Sequence, residues 1–274
     1  ILIVATLRPD VVPRTPIGVE DLDARTVAKA VWPTVALILL IIGFPISTSA
    51  QHSLDLPEPG GKFAVGVRYL HLVDEDRPDP FLDGEAQPRE LMVKLYYPAV
   101  PDPAQPPTRY FHGSTDLTRA FAEFYQLPAG TFDHLSLAES HAREHLEVSP
   151  DESAYPVVLF SHGAGTSMEV QTAQSEDLAS HGYIVAAIDH PFVSAATNFP
   201  DRMVRATDAT TVFDVPEPAA VITRHMADDV RFVIQELGRL NQGAIAPGFE
   251  GRLSLDAIGV IGHSVGGAVA YDLA

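Results

Sequence analysis

Beyond residue 60 the chain alternates between short apolar runs and longer segments of helical spacing. Residues 63–70 and 90–97 alternate apolar and polar positions, which predicts two strands, and an acidic, Pro-rich connection makes them an antiparallel pair. Residues 156–160 and 183–188 are continuous apolar runs, the pattern of strands covered on both faces. Between them, 170–181 predicts a helix closed by Gly182. A second, longer helix is predicted over 219–240, where Val221, Met226, Val230, Val233, Ile234 and Leu237 recur at helical spacing. Residues 255–261 form a last strand. Alternating strands and helices imply an α/β fold with a mostly parallel sheet, antiparallel first strands and right-handed crossovers. A short helix is expected over 117–125 with Asp116 as its N-cap, and 126–154 reads as loop and short helix lying over the domain.

The first fifty residues have another pattern. From Ala30 to Ile46 there is no charge, and with its flanks the run approaches the roughly 20 residues that span a bilayer. Having no polar face, it does not read as a buried amphipathic helix. Two membrane readings remain. One is a signal peptide with Arg25 and Lys29 before it and Thr48-Ser49-Ala50 as a cleavage site; the other, favoured by the long preceding segment, is a retained transmembrane helix. Arg8, Arg14, Arg25 and Lys29 all precede the run, so the chain after Ala50 is expected outside the cytoplasm, anchored or exported. The division expected is 1–50 as membrane region, 51–61 as linker and 62–274 as the folded domain.

The chemistry concentrates after the last strand. Gly262-His263-Ser264-Val265-Gly266 is a G-x-S-x-G motif placed between an apolar strand and a small-residue helix, the setting of a nucleophile elbow. Gly262 and Gly266 are needed because a side chain at either would meet the neighbouring strand or helix. The N-terminus of the next helix favours negative charge beside Ser264. Acyl transfer needs two N–H donors aimed at a developing oxyanion; one comes from the residue after the nucleophile, Val265, and the other from the loop after an earlier strand. His162-Gly163-Ala164-Gly165 occupies such a loop.

Composition narrows the partners. There are 36 acidic residues against 18 basic, a net charge of −18, which argues against nucleic acid and against an anionic membrane surface as electrostatic partners. No protein partner is evident. With no cysteine there is no disulfide framework, thiolate nucleophile or Cys-based metal site. His141-Ala142-Arg143-Glu144-His145 matches H-x-x-E-H, a zinc-binding pattern on a helix, but its weakly helical surroundings make it a coincidence on an exposed segment. His162 and His263 are expected to shape their turns. Asp189 and His190 end a strand on the catalytic edge and line the pocket, whereas Asp228 and Asp229 are read as a solvated helix face.

Three blocks carry a resemblance: Phe160-Ser161-His162-Gly163-Ala164-Gly165, then 177–190, then Gly262-His263-Ser264-Val265-Gly266-Gly267. Together, over roughly 60–274, they resemble plasma-type platelet-activating factor acetylhydrolases and the related dienelactone-hydrolase-like enzymes. The resemblance implies an α/β-hydrolase fold with helices on both faces of the sheet and hydrolysis of carboxylic esters without metal or cofactor. It implies Ser264 as nucleophile, the Ala164 and Val265 N–H groups as the oxyanion hole, and Gly163 and Gly165 as shapers of the loop. The family's Asp and His come after the serine, so they are expected beyond residue 274, the chain reading as a piece cut at both ends. A small ester or phospholipid with a short acyl chain is the implied substrate. Tyr110, Phe111, Phe121, Phe124, Tyr125, Phe132, Phe192, Phe199 and Phe213, on the excursions 101–154 and 192–218, are expected to supply an acyl pocket. The alternative from another class is a non-catalytic extracytoplasmic domain of the same fold used for binding.

Overall fold

The computed structural model describes residues 54–82, 87–206 and 217–273. Seven strands form its central sheet: β1 (Ala64–Pro78), β2 (Pro88–Ala99), β3 (Pro107–Arg109), β4 (Glu139–Glu144), β5 (Tyr155–Ser161), β6 (Ile184–Asp189) and β9 (Leu253–Gly262). Their order across the sheet is β3-β4-β1-β2-β6-β5-β9. β2 and β3 oppose the other five, which run one way, so the sheet is mostly parallel with antiparallel pairing at β1–β2, β2–β6 and β3–β4. A separate two-stranded ribbon pairs β7 (Ala196–Asn198) with β8 (Met203–Arg205).

The period of two along each strand divides the core. Leu91, Val93, Leu95 and Tyr97 of β2, with Ile184, Ala186 and Ile188 of β6, face one side, where α3 (Pro218–Asn241) and α4 (Val265–Leu273) bury Met226, Val230, Val233, Leu237 and Val269. Met92 and Tyr96, with Val185 and Ala187, face the other side beneath α2 (Thr172–Ser180). Helices therefore cover both faces. All six residues of β6 are buried, as its unbroken apolar run required. A third cluster of Tyr110, Phe111, Leu117, Ala120, Phe121 and Ala138 gives the excursion after β2 a core of its own, built around α1 (Thr115–Phe124).

Several expectations need correction. The N-cap of α1 is Ser114, whose hydroxyl accepts from the Leu117 N–H; Asp116 lies inside the first turn, where a carboxylate suits the helix dipole. Residues 139–144 are not loop but β4, parallel to β1, with Gly66 opposite Arg143. Its alternation of exposed and buried residues, Glu139 and His141 out, Ser140 and Ala142 in, is a strand pattern in a segment too polar to stand out. The apolar run 30–46 lies outside the described residues; among the described residues no helix is long and apolar enough to cross a membrane.

Candidate active site

β9 ends at Gly262 and α4 starts at Val265, so the chain reverses within two residues. Ser264 takes the turn with φ of 54°, a left-handed conformation that costs a non-glycine residue about 1–3 kcal/mol. The surroundings hold it there. The Gly267 N–H and Ala268 N–H both donate to the Ser264 carbonyl, at 2.9 and 3.2 Å, and the His263 N–H donates to the Ser161 carbonyl at 3.2 Å. A Cβ on Gly262 would collide with the Gly266 carbonyl, and one on Gly266 with the Ser161 carbonyl, so both glycines are fixed by close backbone approach. Ser264 and His263 are exposed. Among the described residues no side chain bonds the Ser264 hydroxyl.

The loop after β5 lies against this turn. A Cβ on Gly163 would stand 2.9 Å from His263 Nδ1 and 3.1 Å from Ser264 Cβ. Gly165 has φ of 71° and sits under the Phe124 ring, which leaves no room for a side chain. The Thr166 N–H closes the turn onto the Gly163 carbonyl at 3.1 Å, and the Gly165 N–H donates to the Val193 carbonyl at 2.8 Å. Ala164 is exposed at the tip. Its N–H, and that of Val265 as the first residue of α4, have no acceptor among the described residues.

Beneath the exposed turn lies a buried polar chain. The Ser161 hydroxyl is 3.1 Å from His190 Nε2, and His190 Nδ1 is 2.9 Å from Asp229 Oδ2. Arg89 grips the same carboxylate with Nε at 3.2 Å and Nη2 at 2.8 Å, and Arg77 Nη2 lies 2.7 Å from Oδ1. Burial would raise the Asp229 pKa, but Arg89 and the bond from His190 hold it well below the usual carboxylate range. His190 is lowered by burial against the pull of Asp229. It is therefore neutral, with Nδ1–H donating to Asp229 and Nε2 accepting from Ser161. His162 is fixed likewise: its Nε2 accepts the His190 N–H at 3.0 Å and its Nδ1–H donates to the Gly163 carbonyl at 2.8 Å. Burial holds it down at about 3. Asp189, pushed up to about 8 by burial, accepts the Met168 N–H at 2.8 Å.

Ser161, His190 and Asp229 have the connectivity of a catalytic triad, but each is fully enclosed. With no path for a carbonyl carbon to Ser161 Oγ, the arrangement binds structure together and has no substrate to attack. This overturns the reading of Asp229 as solvated, although the Asp228 side chain is 42% exposed. Asp229 stands three residues after Met226 and four before Val233, on the buried stripe of α3, and that spacing was the signal for its burial. Asp189 and His190 are likewise buried, beneath the exposed turn. Lys94, the one charge in the apolar run of β2, is a second buried cation, 2.7 Å from Glu169 just past the Gly163 loop.

The aromatic residues of the two excursions divide among several places. Tyr110, Phe111 and Phe121 pack in the third cluster, whereas Phe192 and Phe199, buried against the sheet, also line a cavity with Pro191 and Arg202. Phe132 packs on the third cluster, Tyr125 is exposed, and Phe213 lies outside the described residues. Phe124 meets the loop beside Ser264, through Gly165. His141 and His145 sit on and just past a strand, not on a helix; His141 Nε2 meets the Leu56 carbonyl, and no metal-binding cluster occurs among the described residues.

Sheet order, elbow and glycine-rich loop are consistent with the α/β-hydrolase class. The match is narrower than the class: residues 48–244 fit the model of the family described as platelet-activating factor acetylhydrolase, isoform II, and the chain belongs to that family. It is 26% identical over 249 residues to a probable 1-alkyl-2-acetylglycerophosphocholine esterase of Arthroderma benhamiae, covering 85% of this chain and 58% of that one. It is 28% identical over 191 residues to the platelet-activating factor acetylhydrolase of Cavia porcellus, 67% of this chain and 38% of the relative. Among solved structures, the ferulic acid esterase from Streptomyces cinnamoneus superimposes with a TM-score of 0.65 at 34% identity, over 81% of this chain and 58% of that one. The chain thus spans little more than half the length of these proteins at most.

Proposed function

We propose that the full-length protein is a serine hydrolase of carboxylic esters with short acyl groups, acetylated phospholipids among them. The observation that carries this reading is Ser264 itself: an exposed serine held at a φ of 54° on a strand-to-helix turn, with the Gly163 loop against it. In this reading Ser264 Oγ attacks the ester carbonyl carbon and its proton passes to an imidazole base. The oxyanion is met by the Ala164 and Val265 N–H groups, the alcohol leaves with the proton, and water then hydrolyses the acyl-serine. Family membership supports a base and its carboxylate partner located after Ser264, as does the enclosure of His190 and Asp229 away from it. The acetyl-ester substrate class rests on the names of the relatives, not on the loops.

The test is a panel of p-nitrophenyl esters of rising acyl length, an acetylated phospholipid and a peptide, offered to the full-length protein with and without chelator. Short esters and the phospholipid are expected to turn over, chelator to have no effect, and Ser264→Ala to lower kcat by about 10⁴-fold or more. Turnover confined to the peptide, loss with chelator, or a fully active Ser264→Ala variant would overturn the reading.

A further inference from the structure

We propose that His190 is a positioning residue for the site at Ser264, acting on both of its walls at once. Its ring accepts the Ser161 hydroxyl at 3.1 Å, and Ser161 is the residue on which the elbow rests. The Ser161 carbonyl takes the His263 N–H, lies against Gly266 where any side chain would collide, and Ser161 is paired in register with Gly262. The main-chain N–H of His190 donates to the His162 ring at 3.0 Å, and that ring in turn donates to the carbonyl of Gly163, where an added Cβ would stand 3.1 Å from Ser264 Cβ. One residue therefore ties the two walls together, its imidazole holding the strand under the nucleophile and its main-chain N–H, through the His162 ring, holding the loop that carries Ala164.

The far end of the chain is anchored too firmly to drift. His190 Nδ1–H donates to Asp229, which two arginines from β1 and β2 also hold. Arg89 is fully enclosed and reaches Asp79 as well, at 3.0 Å. The loop 190–196 adds backbone bonds to the same wall, Gly165 N–H to Val193 and Ala195 N–H to the Thr166 carbonyl at 3.0 Å. The ring's bonds to Ser161 and Asp229 fix the His190 main chain as well, so a shift of His190 would be passed to both oxyanion donors, whose alignment acts on the transition state and not on ground-state binding. His190 itself touches no substrate.

The kinetic part of this inference rests on the esterase reading; the structural part does not. Gln and Asn separate the two halves of the imidazole, since a Gln amide reaches the position of Nε2 and an Asn amide only that of Nδ1. In the full-length protein, Ser161→Ala and His190→Asn are expected to lower kcat for p-nitrophenyl acetate by roughly tenfold or more with KM within about twofold. His190→Gln, which keeps the bond to Ser161, should recover most of that loss. Amide hydrogen exchange should quicken by about tenfold over 162–167 and 262–268 in Ser161→Ala and His190→Asn, with β1 and β2 unchanged. Ser161→Ala removes one oxygen only and keeps the fold testable. If exchange at both segments stays at the wild-type rate, or His190→Asn and His190→Gln behave alike, the positioning role is overturned. If the wild-type protein hydrolyses no ester, the proposed function fails while exchange still decides the positioning role.

Discussion

Two serines stand at the ends of neighbouring parallel strands, and they differ in every respect that matters to chemistry. Ser161 closes β5 with an imidazole at 3.1 Å and a carboxylate behind it at 2.9 Å, all enclosed. Ser264 comes just after β9, exposed, strained at a φ of 54°, with the Gly163 turn against it and no imidazole bonded to it among the described residues. The first has the hydrogen bonds of a nucleophile and no access. The second has access and strain and, in the proposed function, a place for an oxyanion. The contrast teaches that a Ser–His–Asp line is defined as catalytic by what can reach it and not by its hydrogen bonds. Where it is buried, the same line serves as a cross-tie between strands and a helix.

The sharpest way to break the comparison is to cut the tie at its anchored end. Asp229→Ala leaves Arg89, Arg77 and His190 in the interior without their common carboxylate, and should cost about 3–5 kcal/mol in urea unfolding. A loss below about 1 kcal/mol would show that the chain is not structural cement. Next in size is Gly266→Ala, whose added methyl must push the elbow off the Ser161 carbonyl. Ester kcat/KM should fall about a hundredfold, or roughly 2.7 kcal/mol; unchanged turnover would mean the turn is not held by that contact. The smallest effect concerns pH. Asp189, pushed up to about 8, has a folded value above its ordinary 3.8, so its stabilisation is complete below about pH 4 and is lost as pH rises toward 8. His162, lowered to about 3 from 6.5, has the opposite sign: its contribution is complete above 6.5 and is lost as pH falls toward 3. His190, also lowered, behaves as His162 does. Between about pH 4 and 6.5 these contributions oppose one another; above 6.5 that of Asp189 remains. Unfolding free energy should therefore fall from pH 6.5 to 8 by at most about 1.4 kcal/mol per unit, and Asp189→Asn should flatten that limb. A slope that survives Asp189→Asn would assign it elsewhere.

Much of the frame was legible because strands buried on both faces and an amphipathic helix of 24 residues write strong periods. β5, β6, α3 and the turn at Ser264 fall where the apolar pattern placed them. β4 escaped because it lies at the polar side of the sheet, where Glu139, His141 and Arg143 alternate with small residues and no apolar run forms. The exposed part of the candidate site is local, contained in two glycine-rich stretches, and could be read directly. The buried part is not local: Arg89, His190 and Asp229 come from β2, the end of β6 and α3, up to 140 residues apart, and sequence proximity gives no hint of their meeting. Asp229 was nevertheless discoverable, since a carboxylate on the apolar stripe of a helix needs a buried partner.

The difference between the two serines is tested most directly by a fluorophosphonate, which bonds covalently to an activated, accessible serine. Applied to the full-length protein and mapped by peptide mass, the adduct should fall on Ser264 and be absent from Ser161, with Ser264→Ala left unlabelled. An adduct on Ser161, or labelling that survives Ser264→Ala, would contradict the account.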